Sequence, residues 1–307
     1  MTWNVENLFL PGAPSGPESE EVWQRKLTTL ATTISAIAPD VLALQEIGSP
    51  EAFDQLQVRV AADYPHGRLS SAPDSRGIRV GFLSKYPLQD AVDYVYFPAG
   101  ALDEVPGPTG APLTRLGRGA LKVTVRPAAD LPVNLVTTHL KSKLVTYANG
   151  RRWPRDESER ARGSGLALLT RTAEAVALRI SLNELMIGNR RPLVLLGDLN
   201  DGPDAVTTQI LQGPADRSLA RPDRLDDVRL YNLAGYIAPD RRFSRIYQQQ
   251  AELIDHIAVS HELVFHQRRV DSFIEPIRSI DQSVETRRDE VFPDHAPVFA
   301  TFELPTA

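Results

Sequence analysis

An apolar run that breaks into a carboxylate and an amide two residues apart, Leu193-Val194-Leu195-Leu196-Gly197-Asp198-Leu199-Asn200, holds more potential chemistry than any other stretch of the chain. If Leu193 to Leu196 is a buried strand, its end delivers Asp198 and Asn200 to one rim of a sheet, because alternate side chains of an extended segment point the same way. Rims of this kind are where open α/β sheets collect the groups that act on ligands. The pattern recurs at Trp3-Asn4-Val5-Glu6-Asn7, at Leu42-Ala43-Leu44-Gln45-Glu46 and at Val136-Thr137-Thr138-His139. It closes with a pair, Leu253-Ile254-Asp255-His256 and Phe292-Pro293-Asp294-His295. Groups of these types activate water, hold a hard cation or contact an anion. The chain has no cysteine, so thiolate metal sites, cysteine nucleophiles and disulfides are excluded, and any metal must sit on oxygen or imidazole.

Taken singly, each residue has an ordinary alternative. Glu46 alone reads equally as a carboxylate at a helix start or a strand end, and His139 as a hydrogen-bonded imidazole at a sheet edge. Asp294 suits a turn cap, and Asp201-Gly202-Pro203 reads as a turn. Their joint occurrence in order, each after an apolar run, is what argues for a site. His66, His256, His261 and His266 fit no such position and are read as structural or exposed.

The elements that must position these groups follow from periodicity. Thr2 to Phe9 reads as a strand, and Pro11 to Pro17 as a loop. Trp23, Leu27, Leu30, Ile34 and Ile37 form one face of a helix stopped by Pro39, and Leu166, Leu169, Ala173, Val176 and Ile180 mark a second helix ending near Gly188. Strands are expected at 40–45, 79–83, 91–97, 120–125, 132–138, 192–196, 253–259 and 297–302, with turn-rich insertions at 98–119 and 141–165. Strands interleaved with two clear helices, and with several strand-to-strand steps, point to a mixed sheet or two stacked sheets. With 307 residues, 42% of them hydrophobic, no repeat and no linker, a single domain over 1–307 is the simplest organisation. The net charge of -5 is not that of a basic clamp, so a polyanionic substrate would need a local positive patch. No apolar stretch is long enough to cross a bilayer. A soluble protein is expected, cytoplasmic or secreted with its signal removed, and a monomer.

In combination, Gln45-Glu46, Gly197-Asp198-Leu199-Asn200 and Asp294-His295 resemble the endonuclease/exonuclease/phosphatase superfamily, the metal-dependent phosphoesterases related to pancreatic-type deoxyribonuclease. Matching segments run from Trp3 to Phe302. The resemblance implies an α/β fold, a four-layer α/β/β/α sandwich of two mixed β-sheets with helices outside. It also implies Mg²⁺ or Mn²⁺ held by Glu46 first and Asp294 second, with Asn4 beside the metal as an orienting amide. Asp198 resembles the family's general base, with Asn200 positioning base and phosphate. His295 would contact phosphate with its charge fixed by Asp255, and His139 would be a second phosphate or leaving-group contact.

Arg118 resembles the family arginine that reaches a substrate phosphate, and a solvated hairpin arginine is the ordinary alternative. The insertion from Lys141 to Gly165 carries seven basic against three acidic residues, Lys141 and Lys143 among them. Either it supplies the patch a nucleic acid needs or it is a solvated loop. Within it Tyr147 and Trp153 are of a type that stacks on bases. His139-Leu140-Lys141-Ser142-Lys143 and Arg171-Thr172-Ala173-Glu174-Ala175 are most similar to bacterial nonspecific nucleases, which favours an endonuclease acting on DNA. Two alternatives stand beside it. One is a phosphoesterase of lipid head groups or small phosphates, for which Tyr94 to Leu102 is the candidate apolar rim; the other is a binding protein with a degenerate centre. Two features depart from the family pattern: only Met1 and Thr2 precede Trp3, and the cysteine pair of many secreted members is missing.

Overall fold

Two-residue alternation builds both sheets and decides what each face meets. In the computed structural model, described for residues 1–102, 104–107, 110–128, 130–145, 147, 151, 153–188, 190–213, 228–281 and 287–304, strand β8 (Leu193–Asp198) shows the rule. Val194 and Leu196 enter the core between the sheets, whereas Leu193 and Leu195 face the layer of the long helix α3 (Glu157–Met186).

The first sheet is assembled from β1 (Thr2–Leu8), β2 (Val41–Ile47), β3 (His66–Leu69), β4 (Arg79–Ser84), β13 (Gln267–Ser272) and β14 (Val298–Phe302), in the order β13-β14-β1-β2-β4-β3. The second holds β5 (Gln89–Tyr96), β6 (Arg115–Ala128), β7 (Leu131–His139), β8, β9 (Tyr231–Asn232) and β12 (Asp255–Val259), in the order β5-β6-β7-β8-β12-β9. Both are mixed: β1 runs parallel to β2 and β7 parallel to β8, with the other pairings antiparallel. A small hairpin, β10 (Arg245–Tyr247) with β11 (Gln250–Glu252), stands apart. Helices α1 (Glu20–Ile37) and α2 (Pro50–Val60) cover the first sheet, where Trp23, Leu27, Leu30 and Ile34 meet Trp3, Val5, Leu42 and Leu44. Helix α3 covers the second through Ala175, Leu178, Leu182 and Met186. Ala43, Val80 and Phe82 of one sheet pack against Leu121, Val123, Leu135, Val194, Leu196 and Ile257 of the other. Three apolar layers between four structural layers make the α/β/β/α sandwich. The short helices α4 (Val206–Gln212) and α5 (His261–Val264) complete the set.

The structure corrects several boundaries. The expected loop 98–119 ends early, because β6 already begins at Arg115. The expected loop 141–165 is helical from Glu157, where Asp156 accepts from the Glu159 amide as N-cap. That first stretch of α3 buries no apolar face, so periodicity could not reveal it. Helix α2 carries a start signal that periodicity also passes over: Ser49 accepts from the Ala52 amide and Pro50 opens the first turn, a favoured N-cap and N1 pair. No helix of the described residues is long and apolar enough to cross a membrane.

Candidate active site

The inward parity of the strands carries the site. In β8 the inward series Val194, Leu196 ends on Asp198; in β7 the series Val133, Leu135, Thr137 ends on His139; in β12 Val259 and Ile257 lead to Asp255. Strand register places these three side by side, with His139 opposite Asp198 on the parallel partner and Asp255 opposite Asp198 on the antiparallel one. Gly197 allows this: its φ is +153°, and a Cβ there would lie 2.0 Å from the Thr138 carbonyl oxygen of β7.

The facing sheet contributes Asn4 and Glu46. Leu42 and Leu44 point to the helix layer, so strict alternation would send Glu46 there as well. Instead the β1–β2 and β2–β4 registers shift at this point and Glu46 takes a left-handed φ of 64°, re-aiming its side chain as bulges do. Its carboxylate accepts from the Asn7 amide at 2.9 Å and from Asn4 Nδ2 at 3.3 Å. The same Asn4 Nδ2 donates to Asp198 Oδ2 at 3.0 Å across the sandwich. Trp3 Nε1 donates to the His295 carbonyl, and Gln45 Nε2 to Thr137 Oγ1, so the mouth is stitched from both sides.

Asp198 is held by Asn4, His139 and Asn200 together. Its Oδ2 lies 3.2 Å from His139 Nε2, and its Oδ1 accepts from the Asn200 amide at 2.8 Å. Asn200, itself at a φ of 55°, donates through Nδ2 to the Leu140 carbonyl. Burial, and after it the charge of Asp255, pushes the Asp198 carboxyl up to about 7, against the pull of His295, Asn4 and the Asn200 amide. Burial and then Arg118 drive the His139 imidazole well below its ordinary value, towards the neutral form, with Nε2 turned to Asp198. His295 is the opposite case. Burial alone would lower it, yet Asp255, with its Oδ2 2.6 Å from Nδ1, and then Asp294 raise it to about 10. Ser244 Oγ donates to the same Asp255 oxygen and fixes the pair from behind.

The other expected contacts are engaged inside the protein. Arg118 is largely buried, donating to the Leu140 carbonyl and paired with Asp74 at 3.3 Å, so it is not a solvated hairpin residue. Lys141 closes its own loop onto the Ser142 and Leu144 carbonyls, and burial, then Arg118, lowers it to about 8. Lys143 pairs with Glu252. Within the insertion, Arg151 and Arg155 share Glu159, and Arg160 pairs with Glu157; Arg152 lies outside the described residues. Tyr147 is buried beneath the Arg151 guanidinium, whereas Trp153 is exposed.

Several site residues were given no individual role by the sequence. Glu6, Lys26 and Arg287 form a buried charged group beside Asp294. On α3, Glu174 accepts from the Gly117 and Lys141 amides, while Arg171 donates to the Lys141 carbonyl and to Asp201. Arg76, in the loop before β4, shares Asp74 with Arg118 and is half exposed.

Two places fit a divalent cation by residue type. Asp198, Asp255 and His295 bring ligand atoms within 4.8 Å of one another, but a metal ligand must be a neutral imidazole and His295 is held protonated. Glu46 fits better: it is acidic and half-buried, takes hydrogen bonds from neutral donors, and among the described residues no Lys, Arg or His stands within ion-pair distance of it.

A model of the Endonuclease/Exonuclease/phosphatase family matches residues 1–277. The chain belongs to that family. Its chemistry is therefore that of the metal-dependent phosphoesterases. Solved structures agree on the fold. A 3'-5' exonuclease (NExo) from Neisseria meningitidis is 18% identical with a TM-score of 0.56, over 99% of this chain and 98% of that one. The 3' phosphatase NExo from Neisseria, bound to product DNA hairpin, gives 19% and 0.57 over the same shares. ANGEL2, a 2',3'-cyclic phosphatase, gives 14% and 0.57 over 97% and 93%. Compared by sequence with curated proteins, the chain matches none.

Proposed function

We propose that this member of the family is a divalent-metal-dependent phosphodiesterase that hydrolyses nucleic acid, as an endonuclease acting on DNA. The observation that carries the reading is the buried Asp198 carboxylate, raised to about 7 and set where Asn4 and Glu46 of one sheet meet His139 and the Asp255–His295 pair of the other. A base with a pKa near the working pH is the most effective one, contributing roughly 10² to 10⁴ in rate. Asp198 takes a proton from the attacking water, whose oxygen bonds to phosphorus as the ester bond opposite breaks. Asn200 holds the base through its backbone amide. The imidazolium of His295, fixed by Asp255, meets the negative charge that grows on the phosphate oxygens, and neutral His139 is the second phosphate contact. Glu46 is the principal metal ligand, with Asp294 second and Asn4 orienting from the side. Mg²⁺, or Mn²⁺ in its place, supplies Lewis-acid neutralisation of the phosphate when bound.

Nucleic acid is favoured because one structural relative, NExo, is named an exonuclease in one structure and is bound to a DNA hairpin in another, and because Arg76 and the exposed Trp153 offer a charge and a stacking surface. A phosphoesterase of lipid head groups or small phosphates is supported by one feature, the exposed Tyr96 and Leu102 in the 94–102 stretch. The test is a panel: supercoiled plasmid, single-stranded oligonucleotide, phospholipid and phosphomonoester, each with Mg²⁺ and with chelator. Metal-dependent nicking of plasmid is expected. Release of a phosphorylated head group or of inorganic phosphate without strand cleavage would replace this reading by the second.

A further inference from the structure

Asp294, the second metal ligand of the proposed reading, lies in a segment, 288–297, that has no helix or strand to hold it. Among the described residues no hydrogen bond fixes its carboxylate, whose cationic neighbours stand at 3.8 Å (Arg245) and 3.9 Å (His295). Asp294 is fixed by its backbone instead: the amide donates at 2.9 Å to the carboxylate of Glu6, buried at the end of β1. The same carboxylate accepts from Arg287 Nε and Nη2, each at 2.8 Å and on a different oxygen, and Arg287 Nη2 also donates to the Phe292 carbonyl at 3.3 Å. Both ends of the segment 287–294 are thus tied to one side chain. A buried ion pair is in itself weak evidence of stabilisation, since apolar residues of the same volume often serve as well. The third contact is different, because no apolar residue could satisfy the Asp294 amide.

The backbone of Glu6 reaches the rest of the centre. Glu6 and Asn7 take left-handed φ values of 46° and 48° where the register of β1 on β2 shifts, a conformation that residues with a Cβ keep only when their surroundings impose it. The turn lets the Glu6 amide donate to Asn4 Oδ1 at 3.0 Å, which leaves Asn4 Nδ2 for Glu46 and Asp198, and it brings the Asn7 amide onto Glu46. Lys26 of α1 donates to the Glu6 carbonyl and secures the turn from behind. We propose that Glu6 is a positioning residue of the centre: it touches neither metal nor substrate, and by accepting from the Asp294 amide it places that carboxylate for the cation at Glu46. The proposal rests on the metal-dependent reading, with Glu46 and Asp294 as ligands. Removing a group that holds a metal ligand in place typically costs roughly 10- to 100-fold in metal affinity.

Two double variants of the full chain carry the test. Glu6→Gln/Arg287→Met and Glu6→Leu/Arg287→Met remove the same charges and differ in whether an oxygen remains to accept from the Asp294 amide. Without metal, hydrogen exchange of the Asp294 amide, read by nuclear magnetic resonance, should be faster in the variant with Leu than in the variant with Gln, while β8 and β12 exchange alike in both. Mn²⁺ binding, followed by loss of the free-ion paramagnetic resonance signal, should be roughly tenfold weaker or more in the variant with Leu than in the variant with Gln. If either double variant fails to fold, Glu6→Gln and Glu6→Leu with Arg287 retained give the same comparison. Equal exchange, or equal Mn²⁺ affinity, within the pair would overturn the role of Glu6 and leave the metal-dependent reading standing. A wild type that binds no Mn²⁺ would overturn that reading and the proposal with it.

Discussion

Two imidazoles a few ångströms from one carboxylate have been driven to opposite states. His139 has no carboxylate of its own besides Asp198 and lies near Arg118, so burial wins and it is neutral; His295 sits against Asp255, so charge wins and it is protonated. The pH profile of hydrolysis should report this arrangement. Rate should climb as pH rises through the Asp198 value of about 7, since the base acts only when ionised, and a cation at Glu46 should move that limb to lower pH. Rate should fall as pH rises through about 10, where His295 loses its proton. Stability follows the same group. The folded value of His295 lies above its unfolded value, so its contribution is complete below about 6.5 and is lost as pH rises through about 10. A single acidic limb with no alkaline fall, in kinetics over pH 5 to 11, would contradict the protonated role given to His295. At this scale much of the sequence was legible, because Asp198 and His139 each close an alternating apolar strand and Asp255 opens one. Glu6, Lys26 and Arg287 were not, since their relation depends on chain segments about 280 residues apart.

Among the elements, two arrangements keep the rim in place. The approach of β7 to β8 at Thr138 and Gly197 leaves no room for a methyl group. Gly197→Ala should therefore cost about 3 kcal/mol or more in denaturant unfolding, and a loss below about 1 kcal/mol would mean the strands part easily there. Helix α3 reaches three rim segments with two buried charged residues: Glu174 holds the Gly117 and Lys141 amides, and Arg171 holds the Lys141 carbonyl and Asp201. Glu174→Leu strips an acceptor from two amides, each worth about 1–3 kcal/mol when left bare, partly offset because burial disfavours the ionised carboxylate. Because those amides flank Arg118 and Lys141, KM for phosphodiester should rise several-fold, with a smaller change in kcat. A fall in kcat alone would place Glu174 in the chemistry instead. The pattern Arg171 to Glu174 was visible in the sequence as a likeness to nucleases. Its physical task was not, because a helix periodicity reports which face is buried and says nothing of which loops that face holds.

Over the whole molecule, the substrate proposed for this acidic protein is a polyanion. The insertion from Lys141 to Gly165 is rich in basic residues, but folding spends much of that charge: Arg151 and Arg155 on Glu159, whose carboxyl the Arg151 hydrogen bond holds down at about 2, and Arg160 on Glu157. Counting charge along a segment overstates its field when its cations pair with carboxylates of the same segment. Arg76, half exposed and close enough to His139 to lower its pKa, is the cation we propose for phosphate contact. Arg76→Gln should reduce the slope of log affinity for DNA against log salt by about one phosphate, while Arg151→Gln leaves it nearly unchanged. The reverse result would return the insertion to the role its composition suggested. The sandwich itself was only partly readable: strands and the two main helices emerge from periodicity, but the assignment of strands to two facing sheets comes from register, which no local pattern contains.

The central claim is that the groups converging on Asp198 hydrolyse a phosphodiester with a cation at Glu46. The most direct measurement is the Mg²⁺-dependent hydrolysis rate of a chromogenic phosphodiester by wild type and by Asp198→Ala, both shown to be folded by circular dichroism. A rate abolished by chelator and reduced roughly 10² to 10⁴-fold in the variant is expected. An Asp198→Ala protein that hydrolyses at the wild-type rate, or a wild type indifferent to chelator, would contradict it.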